Sequence, residues 1–319
     1  MKHKKKKIPI YFYAVVAVVV LMLAGMFFLV LQNEPASIYV FPENPKQGDT
    51  IFIRVKSQAK EITGNFGQEK LVFCKKGKLS EWVAFLGIDA DQIPGEYKIF
   101  VDTDLAEHLS KKINVELAEF SLKQAVKAPS SNQSGITNQK AVENIRKNDN
   151  PVLSEFLGKL TQDPYFSLPF SFPLGSMKTS GFSFGEFIGF GNSALQHLGV
   201  DLRAPEGTEI YAVNDGKVVA VLNLSNYGKT IIVDHGLDIF SLYLHLDKFK
   251  VAEGQMIKRG QAIGLSGQTG YTTAPHLHFS MRVGGSRVDP VEFIQTSKKI
   301  NDNFFIADIT SAFLNMFSH

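Results

Sequence analysis

Two histidines, His276 and His278, lie one residue apart in the apolar segment TTAPHLHFSMRV, residues 272–283. Side chains of a β-strand alternate between two faces, so a strand would place both imidazoles on the same face. Leu277 and Phe279 would then point into a core. Because histidine is both a common metal ligand and a common surface residue, the pair predicts either a polar surface or half of a metal site.

A third histidine lies near a carboxylate in QHLGVDLRAPEGT, residues 196–208. His197 and Asp201 are four residues apart, so they would share a face in a helix or in an extended strand. Gly199 between them and Pro205 after them disfavour a helix. In a strand, the missing side chain of Gly199 would leave room between the two polar groups. The alternative interpretation is a surface histidine beside an aspartate in a turn.

Together these segments offer three imidazoles and one carboxylate, which is the ligand chemistry of a catalytic zinc site. Such sites usually take three protein ligands from His, Asp or Glu and keep one position open. Zinc lowers the pKa of water toward neutrality and so makes the water a nucleophile. A further group must then handle the proton and stabilise the developing oxyanion. His245, in SLYLHLDKF, alternates with Tyr243 on a predicted strand and is a candidate for this task.

Five motifs follow one another along the chain: HLGVD, VDHG, YLHLDKF, EGQMIKRGQAIGLSGQTG and PHLHF. In this order and spacing they resemble the lysostaphin-type zinc endopeptidases, which cut peptide bonds in bacterial cell walls. The resemblance covers residues 170–294 and implies hydrolysis of peptidoglycan peptides by a metal-activated water. It implies one Zn²⁺ per chain, held by His197, Asp201 and His278. It also implies that His245 and His276 flank the attacking water and the scissile carbonyl as the catalytic pair.

The chain departs from the family pattern at two places. Ala274 stands where the family usually has a glycine before Pro-His-Leu-His, and GFSFGEFIGFGNSALQ lacks an arginine that is often found there. Neither place is a predicted ligand, so both bear on the shape of the cleft. His235, in VDHG, also matches a recurring family position. Because the predicted ligand set is complete without it, we expect His235 to be structural or to support the ligands.

Two rival functions are open to the same sequence. Some proteins that resemble this family have lost metal ligands and act as non-catalytic wall-binding regulators of other peptidoglycan hydrolases. The intact ligand set favours an enzyme. The segment VAEGQMIKRGQAIG also resembles the hairpins of biotinyl and lipoyl carrier domains. A carrier needs a modifiable lysine at the hairpin tip, commonly in Met-Lys-Met, and Lys258-Arg259 does not fit that pattern.

The composition sets outer limits on the function. A length of 319 residues allows about two domains. The net charge of +3 and the lack of interleaved basic and aromatic residues give no indication of a nucleic-acid partner. The single cysteine, Cys74, excludes an intramolecular disulfide and the paired-cysteine zinc motifs. It follows Leu-Val-Phe, so we expect a small core residue.

The N-terminus predicts a membrane anchor. Residues 1–7, MKHKKKK, carry five lysines, and residues 8–31 contain no charge over 24 residues. A helix of that length would be roughly 36 Å long, enough to cross a hydrocarbon core of about 30 Å. A cleaved signal peptide, with a shorter apolar stretch, is the alternative. The lysines place the N-terminus in the cytoplasm, so the sequence predicts a single-pass cell-membrane protein whose C-terminal domains are extracytoplasmic.

The elements that position the site are predicted to be mostly β. After the transmembrane helix, short alternating strands separated by turn residues predict an immunoglobulin-like β-sandwich with Trp82 in its core. This module would be a spacer or a docking surface for a protein partner. A linker and the β-rich lysostaphin-type peptidase domain follow, and then a tail that could form an amphipathic helix. The predicted boundaries are 34–118 for the module, 119–150 for the linker, 151–296 for the peptidase domain and 297–319 for the tail.

The linker is rich in Ser, Asn, Gln and Lys, which is typical of a chain without a packed core. Its Asn and Gln residues lie close in sequence to the peptidase domain. Their side-chain oxygens could occupy the open metal position, so we advance the hypothesis that the linker limits access to the cleft.

Overall fold

The computed structural model describes residues 11, 13, 16–22, 35–76, 80–124, 138–158, 161–175, 178–190 and 193–316. Most of the predicted membrane anchor, residues 8–31, lies outside the described residues, as does all of the predicted cytoplasmic tail. Residues 16–22 are helical and their side chains are exposed, Leu21 by 71%. Within the described ranges, no helix combines the length and the hydrophobicity that a membrane crossing requires.

The first domain is a sandwich of two antiparallel four-stranded sheets. The strand order is β1-β2-β6-β5 in one sheet and β4-β3-β7-β8 in the other. Turn residues separate the strands, which are two to nine residues long. The eight strands are β1 (Ser37–Phe41), β2 (Thr50–Lys56), β3 (Ile62–Phe66), β4 (Glu69–Lys70), β5 (Cys74–Lys76), β6 (Glu81–Gly87), β7 (Gly95–Thr103) and β8 (His108–Val115).

The β1-β2-β6-β5 sheet is covered on both faces. In β2, Ile51 and Ile53 lie in the sandwich core, whereas Phe52 between them lies in a core shared with the second domain. In β6, Trp82 faces the sandwich core and Phe85 faces the shared core. The two-residue period of a strand produces this division. Trp82 is therefore a core residue, as the sequence predicted.

The segment at residues 119–150, predicted as a linker, contains regular structure in its described parts. It includes β9 (Leu122–Gln124), helix α1 (Asn138–Asn144) and a π-helical turn (Ile145–Asp149). Helix α2 (Asn150–Leu157) continues from the turn without a break. Pro151 occupies an early position of α2, directly after Asn150, whose amide donates to the Ile145 carbonyl of the π-helical turn. Leu153 of α2 is buried against the sheet of the second domain.

The second domain is built on an antiparallel nine-stranded sheet. Its main path has the order β12-β19-β16-β15-β14-β17; β18 pairs with β13 and β16, and β20 pairs with β19. A small sheet of order β11-β10-β9 lies beside it. The mostly β prediction is therefore confirmed. The strands are β10 (Phe187–Phe190), β11 (Ser193–Gln196), β12 (Val200–Leu202), β13 (Glu209–Tyr211), β14 (Gly216–Leu224), β15 (Gly228–Asp234), β16 (Ile239–Phe249), β17 (Met256–Ile257), β18 (Ala262–Ser266), β19 (Leu277–Val283) and β20 (Ser286–Val288).

The two faces of this sheet bury different clusters. Tyr243 and Phe279 lie fully buried in the main core. Leu242 and Leu244 lie on the opposite face, in a smaller cluster that includes Leu153 of α2. The smaller cluster borders the cleft described below, so α2 serves as one wall of that cleft.

Helix α3 (Pro290–Met316) closes the described chain. Asp289 accepts a hydrogen bond of 2.8 Å from the Val291 amide and so satisfies a donor of the first turn. Phe293 and Ile300 of the first turns pack into the main core. The predicted tail at residues 297–319 is thus helical through residue 316, as a continuation of a helix that begins in the peptidase domain.

Polar and aromatic contacts join the two domains. The Arg287 guanidinium, at the start of β20, forms ion pairs with Asp89 and with Asp91, the latter at 2.7 Å. The Phe85 ring packs edge-on against Phe166 with ring centroids 5.9 Å apart. Because β20 is paired with β19, these contacts connect the sandwich directly to the strand that carries His278.

The domain contact also partly buries Glu69 of β4. Its carboxyl lies against Gly284 in the turn between β19 and β20. Burial, with the nearby charges of Asp238 and Asp89, raises the pKa of Glu69 from 4.5 to about 8. The folded protein therefore holds a proton that the unfolded chain releases. The resulting stabilisation is fully present below pH 4.5 and is lost as the pH rises toward 8.

We therefore expect Glu69→Gln to have a stability close to that of the wild type at pH 5 and to be the more stable protein at pH 8. Since the carboxyl is partly accessible to solvent, the difference at pH 8 should be on the order of 2 kcal/mol. Urea unfolding at the two pH values measures it. Glu96→Gln, at an exposed ion pair with Lys112, is the matched control and should show no such change. A constant difference between Glu69→Gln and wild type from pH 5 to pH 8 would contradict the prediction.

Candidate functional site

A buried carboxylate lies at the centre of the site. Asp201 on β12 is 7% exposed and stands directly opposite His278 in the β12–β19 register. Its Oδ1 atom lies 3.1 Å from His278 Nδ1, 3.0 Å from His197 Nε2 and 3.4 Å from His276 Nε2. Strand pairing therefore brings together residues that are 77 positions apart.

His197 follows β11 in an extended segment, so the helical alternative is wrong for HLGVD. The Ser183 carbonyl accepts a hydrogen bond of 3.0 Å from Nδ1 of His197. Because Nδ1 donates to this carbonyl, Nε2 is the ring nitrogen that faces Asp201 and His278. The distance from His197 Nε2 to His278 Nδ1 is 2.9 Å.

Gly199 explains how the second imidazole fits. A Cβ atom at this position would lie 2.5 Å from His278 Nε2 and 2.7 Å from the Phe279 carbonyl oxygen. Since such contacts are too short for any side chain, glycine is required for His278 to reach Asp201. The sequence predicted free space at Gly199, and the structure shows that the ring of His278 fills it.

The three donor atoms fit a divalent metal ion. One donor atom each from His197, Asp201 and His278 lies within 4.8 Å of the other two. Two imidazole nitrogens and a carboxylate oxygen are a common ligand set for zinc, and an antiparallel sheet can hold them rigidly. His276 Nε2 is the more distant imidazole nitrogen, at 3.4 Å from Asp201 Oδ1.

The charges of the cluster agree with a cation site. Burial opposes the charge of Asp201, but the His197 charge and hydrogen bonds from three imidazoles hold the pKa of Asp201 well below its usual range. Burial also opposes the charged form of His197, yet Asp201 raises the pKa of His197 overall. Burial lowers the pKa of His278 to about 4, so this imidazole is neutral near pH 7, as a metal ligand must be. The buried carboxylate thus requires positive charge beside it, which a bound cation supplies.

His245 reaches the cleft because of a β-bulge. Its backbone has a φ of 61°, and the β15–β16 register shifts between Lys229 and Ile231. Regular alternation would place His245 on the same face as Tyr243, which lies in the main core. The bulge instead places His245 beside Leu244 on the cleft side.

Two loops hold the His245 residue in this strained conformation. The Tyr227 carbonyl accepts a hydrogen bond of 3.1 Å from the His245 amide, and the Thr269 carbonyl accepts one of 2.8 Å from His245 Nδ1. The second contact leaves Nε2 without a proton in the neutral ring. Burial and then the charges of His276 and His278 lower the pKa of His245 well below its usual value.

His276 precedes β19 and stands next to His245, with ring centroids 4.9 Å apart. Its Nδ1 atom donates to the Ala274 carbonyl at 2.8 Å and lies 3.1 Å from Thr272 Oγ1. Burial opposes the imidazolium form, but the Asp201 carboxylate raises the pKa of His276 overall. The two histidines of the His-Leu-His pair therefore lie on one face with opposite proton affinities.

These side chains line a cleft of about 830 Å³. The five site residues predicted from the sequence, His197, Asp201, His245, His276 and His278, all line it. Apolar side chains of α1, the π-helical turn, α2 and β16 form an apolar wall of this cleft; among them are Val142, Ile145, Leu153, Leu157, Leu242 and Leu244. Arg282, at the far end of β19, also lines the cleft.

Asp149 also supports the site, and no motif in the sequence marks this role. This carboxylate is 3% exposed and accepts hydrogen bonds from the Asn226 amide at 2.7 Å, from Asn226 Nδ2 at 3.1 Å and from the Tyr227 amide at 3.3 Å. The loop it holds supplies the carbonyl that binds the His245 amide. The end of the predicted linker therefore helps to position His245.

His235 has no contact with the cluster in its hydrogen bonds. It is fully buried, with Nδ1 2.7 Å from the Asp215 carbonyl oxygen and Nε2 2.8 Å from Ser241 Oγ. Burial lowers the pKa of His235 to about 4, so the ring is neutral and joins two strands as a core residue. These contacts agree with a structural role.

A buried His-Asp-His cluster beside two further imidazoles, on an antiparallel sheet, has the donor groups that a metal-dependent hydrolase requires. Residues 195–290 match the model of peptidase family M23, and the chain contains a peptidase domain of that family. The resemblance found in the sequence motifs is thereby confirmed.

Two curated relatives come from Vibrio cholerae serotype O1. The chain is 36% identical over 126 residues to the peptidoglycan DD-endopeptidase ShyB. The aligned segment covers 39% of this chain and 30% of ShyB. It is 43% identical over 96 residues to the peptidoglycan DD-endopeptidase ShyA. This alignment covers 30% of the chain and 22% of ShyA. The chain thus aligns with less than a third of the length of either relative.

One solved structure shares the fold over most of the chain. It is a crystal structure of an M23 peptidase candidate from Pseudomonas aeruginosa, with a TM-score of 0.56 and 23% identity. The match covers 84% of this chain and 98% of that one. At this identity the match shows the fold alone.

The geometry generates a prediction that separates the two histidines of the pair. His278→Ala removes one of three converging ligands, so we expect metal affinity to fall by about a hundredfold or more and the unfolding temperature of the metal-loaded protein to fall. His276→Ala leaves the three ligands in place, so its metal content should stay near one ion per chain. Elemental mass spectrometry of each purified variant measures this.

His245→Ala serves as a second comparison and should retain metal as His276→Ala does. Loss of metal from His276→Ala with retention in His278→Ala would reverse the two assignments. Retention in both variants would place the metal elsewhere.

Proposed function

We propose that the protein is a zinc-dependent endopeptidase that hydrolyses peptide bonds of bacterial peptidoglycan. The observation that carries this proposal is the convergence of His197, Asp201 and His278 on one buried point, inside a domain of peptidase family M23. The names of ShyA and ShyB, which act as peptidoglycan DD-endopeptidases, support the substrate class.

Zinc is the metal that best suits the three donors, because the set combines two imidazoles with one carboxylate. His197 would bind through Nε2, Asp201 through Oδ1 and His278 through Nδ1, since these are the atoms that converge. When bound, zinc supplies Lewis-acid polarisation and promotes the ionisation of water.

His245 is suited to accept a proton. Its Nδ1 hydrogen is committed to the Thr269 carbonyl, so Nε2 is the basic atom, and its low pKa keeps the ring neutral before reaction. We assign to Nε2 the proton of the attacking water, which His245 then delivers to the leaving amine.

His276 is suited to donate a hydrogen bond. Its pKa is raised by Asp201, and its Nδ1 atom already donates to Ala274, so Nε2–H points toward the cluster. We assign to this atom the stabilisation of the oxyanion that forms as the peptide carbonyl is attacked. The apolar wall of the cleft would exclude water from the reacting groups.

Hydrolysis by the purified full chain tests this proposal. His245→Ala and His276→Ala should each keep about one metal ion per chain and cleave peptidoglycan crosslinks at least roughly a hundredfold more slowly than the wild type. The reason is that each variant loses a proton acceptor or an oxyanion donor while the ligands stay in place. Chromatography of the released peptides gives the rate.

His108→Ala is the matched control, because His108 is an exposed module histidine paired with Asp102. It should cleave crosslinks at the wild-type rate. The alternative function is a non-catalytic wall-binding regulator that activates other hydrolases. A wild-type protein that carries metal, cleaves no crosslink and accelerates another peptidoglycan hydrolase would establish that alternative.

We further propose that the protein is held at the cell membrane by residues 8–31, with its N-terminus in the cytoplasm and its domains outside. The five lysines before an uncharged 24-residue segment support this orientation. The exposure of the described apolar side chains in this segment, such as Leu21 at 71% and Met22 at 69%, also agrees with a surface that would face lipid.

A reporter enzyme that is active only outside the cytoplasm should therefore be active when fused after His319. The protein should also remain in the membrane fraction after an alkaline wash, because an apolar transmembrane helix is not released by alkali. Activity of a cytoplasmic reporter at the same position would overturn the orientation. Release of the chain by alkali would overturn the anchor.

A further inference from the structure

Arg282 faces the cleft from the same strand face as a predicted metal ligand. His278, Ser280 and Arg282 alternate along β19 and all line the cleft, whereas Phe279 and Met281 between them lie in the main core. Four strand residues span about 13 Å. The Arg282 position is therefore about 13 Å from that of His278 along the floor of the cleft.

One end of the Arg282 guanidinium is fixed by the protein. Its Nη1 atom donates to Ser280 Oγ at 2.8 Å and to the Met281 carbonyl oxygen at 3.0 Å. Ser280 in turn donates to the Leu198 carbonyl at 2.6 Å. A guanidinium carries five N–H donors, and these contacts use only those on Nη1. The edge formed by Nε and Nη2 is the one that binds a carboxylate with two parallel hydrogen bonds.

No described carboxylate forms an ion pair with Arg282. Asp89, whose charge is near, is committed to Arg287 through the Arg287 backbone amide and the Arg287 guanidinium. The neighbouring Tyr227 phenol is neutral, because burial raises its pKa to about 12. Burial lowers the pKa of Arg282 to about 10, so the side chain is still charged at neutral pH. A partly buried guanidinium without a counter-ion favours a ligand that supplies one.

The second arginine of the cleft does not meet these conditions. Arg287 also lines the cavity, but Asp89 and Asp91 both pair with its guanidinium. Its charge is therefore compensated within the protein, and its donors hold the two domains together. Arg282 remains as the cleft arginine whose charge a ligand would balance.

We propose that Arg282 is a specificity-determining residue that binds a free carboxylate of an acidic peptide substrate. An extended peptide advances about 3.3–3.6 Å per residue, so the recognised carboxylate lies two to four residues from the scissile bond along the β19 side of the cleft. This inference rests on the proposed peptidase function and narrows its substrate class to peptides that carry a carboxylate at that distance.

Matched substrates test the proposal. One substrate is a preparation of crosslinked stem-peptide dimers released from peptidoglycan. The other is the same preparation with its carboxyl groups converted to carboxamides by carbodiimide and ammonia. We expect the wild-type full chain to prefer the acid form by about tenfold to a hundredfold in kcat/KM, as for a hydrogen bond between charged groups.

Arg282→Gln should bring the ratio of acid to amide rates close to one, by slowing cleavage of the acid form alone. Arg282→Lys, which keeps the charge but not the bidentate edge, should be intermediate. Arg203→Gln is the matched control, because Arg203 is exposed and does not line the cleft, and it should keep the wild-type ratio. An unchanged ratio in Arg282→Gln would overturn the proposal. A wild-type kcat/KM that is equal for the acid and amide substrates would also overturn it. That measurement does not depend on the folding of any variant.

Measurements of substrate binding test the role of Arg282 independently of the proposed peptidase activity. In a His276→Ala background, isothermal titration gives the Kd of each dimer without turnover. If metal-loaded wild type cleaves neither dimer, the peptidase function fails. The acid-to-amide ratio of Kd, and its loss in Arg282→Gln, then still decides the role of Arg282. Equal Kd values for acid and amide dimers would overturn that role.

Discussion

The burial of the Asp201 carboxylate is the constraint on which the rest of the site depends. An ionised carboxylate that is removed from water costs several kcal/mol unless cationic or hydrogen-bonding groups surround it. Here those groups come from three separate parts of the chain: the segment after β11, the turn before β19 and β19 itself. The β12–β19 register and the missing side chain at Gly199 direct His278 to that carboxylate, and the Ser183 carbonyl directs His197 to it. The fold therefore assembles the site as a condition of burying one charge.

The part of the site that follows from strand periodicity was predictable from sequence. His276 and His278 share a face with Leu277 and Phe279 opposite, because β19 is regular. His245 is different, since alternation with Tyr243 would place it in the core. A bulge with a positive φ at His245 moves it to the cleft, and no residue type in SLYLHLDKF marks that bulge. The backbone carbonyls of Tyr227 and Thr269 accept hydrogen bonds from the amide and from Nδ1 of His245, and no pattern of side chains reveals these contacts.

The segment before the peptidase domain shows why composition alone could not describe it. Its polar residues are typical of a solvated linker, yet Asp149 is buried and binds backbone amides 77 and 78 residues further along the chain. Leu153, a few residues later, packs under the cleft wall. These contacts depend on the return of the chain to the same place, which local composition does not encode. A polar segment can thus be part of the wall of a site without any local apolar pattern to indicate it.

One sheet of the sandwich contributes to two hydrophobic cores, and this has a consequence for the orientation of the cleft. Phe52 and Phe85 lie in the same cluster as the residues beneath the nine-stranded sheet, and Arg287 pairs with Asp89 across the boundary. A shared apolar core, together with an ion pair across the boundary, resists rotation of one domain against the other. If the N-terminal segment holds the chain at a membrane, rotation at the boundary between the two domains contributes little to the angular freedom of the cleft. The sandwich then acts as a rigid spacer, which keeps the cleft at a fixed distance and orientation relative to Ser37, where β1 begins.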